Sequence, residues 1–257
     1  MKKPFLMALL LLLIPAMTFA QSGMISGSFD NMSGKNRGME ISLGSQLTNF
    51  RETGTALHFG PAIALLWRQY FEPINDTMEF GYSIATDLTF VPEREWKVPG
   101  GFPDFTFNNK TYNKGDILPI TWAESDYIMS LSMVIGPSIK GKIYGDFTFV
   151  ADIGIGLNID MASWKSLSST TDDILYLNLT AINIGISLNS GFQYSLAAGS
   201  TKVIFELGVN FGYYFSRFNW IDLYWADNTV IGSSSGDLEA VNLFRFGTPY
   251  FVVGCAF

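Results

Sequence analysis

Glu40, Glu79, Asp87, Asp146, Asp152, Asp160 and Glu206 fall on the polar side of a two-residue alternation, and Arg68, Lys140, Lys142, Lys202 and Arg245 share that side. Acids and bases facing one narrow space need partners, because desolvating an unpaired charge is expensive. Two chemistries follow. Fully paired, these groups form a salt-bridged plug that fixes register and blocks flow. Incompletely paired, they line a narrow gated pore for small solutes, in which an excess of acids favours cations.

His58 offers a third chemistry. It is the sole histidine, and Asp87 and Asp160 are expected near the same rim. A histidine oriented by a carboxylate can act as a general base in a hydrolase. No familiar motif surrounds it in Ala56-Leu57-His58-Phe59-Gly60, so catalysis ranks behind the other readings. A single cysteine excludes internal disulfides and Cys-cluster zinc sites. The acids Asp172, Asp173, Asp222, Asp227 and Asp237 lack calcium-loop spacing. No metal or cofactor is expected. A net charge of −7 without a basic patch argues against nucleic acid.

Aromatic side chains form the remaining set. Trp96, Phe102, Phe105, Phe107, Tyr112 and Trp122 lie in the segment 92–124, and Tyr224 and Trp225 in 221–238. Such rings anchor recognition surfaces when exposed, and they form a cap when packed together. Both possibilities stand at this point, the first implying an extracellular ligand. Phe105 to Tyr112 reads as a small hairpin with an Asn-rich turn.

The elements that position these groups are strands. Only 15% of the 257 residues are charged and 15% are aromatic, against roughly 25% charged in ordinary soluble domains. From Phe147 to Ile159, odd positions are apolar and even positions are Thr, Asp, Gly or Asn, with Val150 the exception. That is the period of a strand, and it runs longer than soluble strands usually do. Similar alternation marks 38–50, 56–71, 77–91, 125–140, 174–195, 202–220 and 239–257, which makes eight strands. The phase of alternation changes near Ala181 and near Gly247-Thr248, suggesting β-bulges.

The small polar residues suit the narrow interior of an eight-stranded barrel, with Phe, Leu and Ile outward, as in hydrocarbon. Closure leaves no unpaired backbone edge in lipid. Breaks at 72–76, 140–142 and 197–200 are short; those at 92–124, 161–173 and 221–238 are long; 51–55 is a short exception. Short periplasmic turns and long extracellular loops follow from this asymmetry. Tyr70 and Phe50 are among the aromatics expected in girdles at the two interfaces. Pro61, Pro137 and Pro249 run against the pattern, because a closed barrel has no edge strand for them.

Residues 1–20 read as a signal peptide. Lys2-Lys3 precede an apolar run from Phe5 to Ile14, Pro15 ends it, and Thr18-Phe19-Ala20 forms a cleavage site. Residues 21–37 read as a short periplasmic lead, and 38–257 as the barrel.

The ending Phe251-Val252-Val253-Gly254-Cys255-Ala256-Phe257 resembles the C-terminal strand of bacterial outer-membrane proteins. With the signal peptide and eight strands, the chain resembles small eight-stranded outer-membrane barrels of the OmpA, OmpX and OmpW kind. The resemblance implies an all-β, closed, antiparallel up-and-down transmembrane barrel in the outer membrane, inserted by barrel-assembly machinery that reads the strand ending at Phe257. It implies contact with outer-membrane lipid and lipopolysaccharide or its equivalent, and a monomer. The polar interior departs from the apolar lumen of the OmpW branch.

Overall fold

The computed structural model describes residues 38–257 apart from 72, 74, 76, 92, 122, 123 and 169–172, and at 237 the backbone alone. The expected signal peptide, the expected periplasmic lead and Trp122 lie outside the described residues. Three long strands come first: β1 (Met39–Glu52), β2 (His58–Tyr70) and β3 (Met78–Phe90). Four short ones follow: β4 (Glu93–Lys97), β5 (Phe105–Phe107), β6 (Lys110–Tyr112) and β7 (Ile117–Thr121). The last five are long: β8 (Ser125–Tyr144), β9 (Phe147–Leu167), β10 (Ile174–Ala198), β11 (Thr201–Trp225) and β12 (Val230–Ala256).

Each long strand pairs antiparallel with the next, and β12 pairs back onto β1, closing an eight-stranded up-and-down barrel. Within the β3–β8 connection β4 pairs with β7, and β5 with β6 around Asn108 and Asn109, both at positive φ. At one end, the turn end, the connections are tight. Gly145 and Gly199 open two of these turns at φ 57° and 69°, which glycine adopts without strain. The start of β1 and the C-terminal residue meet there too, where the Phe257 amide donates to Met39 O at 3.0 Å.

The other end, the loop end, is uneven. β1, β2 and β3 stop near Glu52, His58 and Phe90, whereas β9 to β12 run on to Leu167, Ile174, Trp225 and Val230. The segments 161–173 and 221–238, expected as long loops, are therefore mostly wall. Among the described residues, β12 above Asn242 pairs with β11 alone.

Side-chain direction along β10 departs from the sequence expectation. Its odd residues stay buried from Leu175 to Ser195, and its register with β9 is unbroken. No bulge occurs at Ala181. What inverts is chemistry: the inward face is Leu175, Leu177, Leu179 and Ala181 near the loop end, then Asn183, Ser187, Asn189 and Gln193 below. The true bulge lies on the neighbour, at Phe215 of β11, where Ile184 pairs Ser216 and Gly185 pairs Tyr214. The bulge expected at Gly247 is present. Gly247 has φ 52°, and the registers of β12 with both neighbours skip a residue there.

The prolines face outward, each at a weak point of one ladder. Pro137 lies where β8–β9 pairing lapses between Ile135 and Ser138, and Pro249 where β12–β1 pairing lapses. Pro61 sits just beyond the last β2–β3 pair. A missing N–H costs little where no ladder bond is made.

Candidate functional site

The lumen holds three layers of charge. Nearest the turn end, Arg68 of β2 is the hub, and it is 1% exposed. Its Nε and Nη2 donate to Asp152 of β9 at 3.0 and 2.7 Å, and its Nη1 and Nη2 donate to Glu206 of β11 at 2.6 and 2.9 Å. Gln193 donates to both Glu40 and Glu206 at 2.9 Å, the Tyr250 hydroxyl donates to Glu206 at 2.6 Å, and Lys140 pairs with Glu40. Planar guanidinium forks gripping carboxylates are the strong form of such contacts. Gly208 makes room for the Tyr250 ring, which a Cβ there would overlap.

The middle layer centres on Arg245 of β12. It donates to Asp87 at 2.8 Å and to Asn158 at 3.0 Å, contacts Ser132, and stacks 4.6 Å over the Phe50 ring. Phe50, expected in the aromatic girdle at the outer interface, and Tyr70, expected in the periplasmic one, thus point inward. The Tyr70 hydroxyl accepts from Ser138 at 3.1 Å.

The layer nearest the loop end joins wall to insertion. Arg94 of β4 reaches into the barrel and donates to Asp160 at 2.6 Å. Asn158 and Asn183 donate to the same carboxylate at 2.8 and 2.7 Å, and Arg217 bridges Asn183 to Glu52 at 2.7 and 2.9 Å. Sequence parity missed Arg217 because the Phe215 bulge flips the alternation, and it missed Arg94 because that residue comes from a connection.

Eight of the predicted lumen charges meet here: Glu40, Arg68, Asp87, Lys140, Asp152, Asp160, Glu206 and Arg245. Glu79, Lys142, Asp146 and Lys202 instead line a recess of about 350 Å³ at the turn end. A cavity of about 30 Å³ lies beside Asp87, Asn189, Asn210 and Tyr250. That is space for two or three waters at roughly 10–15 Å³ each.

Over the layers sits a cap. Trp96, Phe102, Phe105, Phe107 and Tyr112 are each 7% exposed or less, and they pack with Leu118 and Ile120 against Trp164, Leu175, Leu177, Ile221 and Leu223 of the tall wall. Phe105 stacks on Tyr112 at 5.1 Å, and Phe107 meets Trp164 at 6.2 Å and Trp225 at 6.3 Å. Of the two arrangements the sequence left open, exposed recognition surface or packed cap, these five rings take the cap. The insertion is also clipped to the rim: the Ala56 amide donates to Glu95 at 2.7 Å. Tyr224 and Trp225 are half-buried on the wall.

The hydrolase geometry is not assembled. Asp87 is bound to Arg245 and Asp160 to Arg94, while His58 Nε2 lies 3.8 Å from Glu95 and has no hydrogen-bond partner among the described residues.

Outside, the barrel is apolar. Leu43, Phe59, Ile63, Ile153, Ile155, Ile186, Phe192, Leu207 and Phe251 are all between 47% and 65% exposed.

No protein-family model and no curated protein matches the chain. Among solved structures it is similar to the attachment invasion locus protein Ail of Yersinia pestis, with TM-score 0.43 and 12% identity over 86% of this chain and 99% of that one. It is similar to a major outer membrane protein from Thermus thermophilus, with TM-score 0.43 and 11% identity over 87% and 99%. It is also similar to Neisserial surface protein A, NspA, with TM-score 0.36 and 13% identity over 85% and 95%.

Proposed function

We propose that this chain is an integral outer-membrane protein whose barrel is a closed anchor, carrying a rigid capped platform outside the membrane for contact with other molecules. The observation that carries the reading is the sidedness of the barrel wall. An exposed apolar patch of a few hundred Å² is already large for a soluble protein, and here the whole circumference is apolar while the interior is charged. Hydrocarbon is the solvent that makes such an arrangement stable.

Closure of the lumen favours an anchor over a passage. Three layers of paired charge cross the bore and an apolar core sits above them. Because the insertion rings are interior, contacts with a partner would use the outside of the tall wall. The C-terminal strand, with Phe251, Val253 and Phe257 outward and exposed, suits recognition by assembly machinery, and the barrel works as a monomer. No catalytic role is assigned.

The competing reading is a narrow passive channel. It draws on the 350 Å³ recess, which reaches inward as far as Lys140. Planar-bilayer recording separates the two. A folded, heat-modifiable protein is expected to give no steady conductance. Ohmic single-channel steps would favour the channel, and a chain soluble without detergent would remove both.

A further inference from the structure

Charges at the turn end are arranged unlike those of the lumen. Inside, the buried charges are held by opposite ones: Arg68 by Asp152 and Glu206, Arg245 by Asp87, Arg94 by Asp160. The recess of about 350 Å³ is lined by Glu79, Lys142, Asp146 and Lys202. Among the described residues, none of these four side chains has a hydrogen-bond or ion-pair partner. Glu79 has Lys140 as its direct neighbour across the β3–β8 ladder, yet the Lys140 ammonium turns to Glu40. Lys202 stands too far round the ring to take its place: β3 and β11 are four places apart among eight strands, on opposite walls. Thr148 and Ser195 add hydroxyls to the same recess, and Thr148 donates to Gln193 of the Arg68 layer at 3.3 Å.

We propose that the recess is a binding site for short linear peptides with both termini free, taken from the periplasm. The ammonium end would lie at Glu79 and Asp146, and the carboxylate end at Lys202. The periplasmic source rests on the membrane reading above, in which short turns face that side.

Three observations favour that ligand. The four unpaired charges sum to zero, so a molecule carrying both signs suits the recess better than a simple anion or cation. The signs are separated across the mouth. A free amino acid carries its two charges on one carbon and cannot reach both walls, whereas three extended residues span roughly 10 Å. The ligand's inner amides would meet the hydroxyls of Thr148 and Ser195. Position excludes a zwitterionic lipid headgroup, because the ring of strands separates the recess from the surrounding leaflet. The volume is that of a small-molecule site, about 300–1,000 Å³, and the paired charges above close it inward.

The test uses the folded full chain in detergent micelles, titrated with trialanine, N-acetyl-trialanine or trialanine amide. The backbone amide resonances of Gly145 and Asp146 are followed. A saturable shift with trialanine is expected in the millimolar range. Blocking either end is expected to weaken binding about fivefold, the ratio that an exposed ion pair of roughly 1 kcal/mol gives. Glu79→Gln should remove the effect of acetylation and keep that of amidation; Lys202→Gln should do the reverse. Asp146→Asn, in an exposed turn, should act as Glu79→Gln does, and it covers the case in which that variant does not fold. No saturable shift in a heat-modifiable wild type, or both blocking effects unchanged in every variant, overturns the inference and leaves the membrane reading standing. A chain that is folded and soluble without detergent overturns both, because the recess would then face no periplasm.

Discussion

β10 is one unbroken strand in two environments. Toward the turn end it puts Asn183, Ser187, Asn189 and Gln193 inside and Ile182, Ile186, Leu188 and Phe192 outside. Toward the loop end it puts Leu175, Leu177 and Leu179 inside and Tyr176, Asn178 and Thr180 outside. The backbone, the register with β9 and the parity are the same in both halves. A strand face is therefore core or surface only by virtue of what lies opposite. Below, charged neighbours fill the lumen and the proposed solvent outside is hydrocarbon. Above, an apolar insertion fills the interior and the outside is wet. The lower half is stabilised inward by paired charge, the upper half by burial of apolar area.

The two halves should fail differently. Arg68→Leu is the harshest change to the lower half. It leaves Asp152 and Glu206, both fully buried, without their shared cation, and breaking a buried pair from one side costs about 3–5 kcal/mol. A large fall in the denaturant midpoint of the heat-modifiable band is expected, with the whole barrel affected. Leu177→Ala is the matching change above. Leu177 is fully buried in the cap core, and truncation costs about 2–5 kcal/mol. Here the expected readout is local: protease should cut within 93–121 while the barrel still migrates as folded. Loss of the barrel together with the insertion would mean that the halves are one cooperative unit, and the comparison would be broken.

The same contrast explains what could be read beforehand. All eight wall strands were visible as alternation, because in the lower half the two faces meet opposite chemistries. The Gly247 bulge was visible because apolar residues flank it on both sides, so the change of parity showed. At Ala181 an inversion of environment mimicked a bulge, since alternation reports only which residues are apolar and not which way they point. At Phe215 a real bulge passed unnoticed and hid Arg217 on the apparent apolar side. The cap rings were ambiguous for a related reason. A connection with short strands of 3–5 residues has too little periodicity to say which face is covered. Arg94 carried no signal, because its partner Asp160 lies 66 residues away.

One substitution made on the outer surface at two heights sharpens the boundary between the halves. Ile186→Arg puts a charge on the apolar band, at a side chain 54% exposed. Arginine on the lipid face near the bilayer midplane costs about 2–4 kcal/mol, so lower stability in vesicles is expected. Ser235→Arg puts the same group on the outward face of β12, beside Trp220 in the register. In water an exposed change of this kind moves stability by no more than about 0.5 kcal/mol. The two side chains are both exposed to whatever surrounds the protein, so burial within the protein cannot produce a difference between them. Only a difference in the surrounding medium can. Equal, small effects at the two sites in vesicles would mean that both heights see water, and the inversion along β10 would then need another cause.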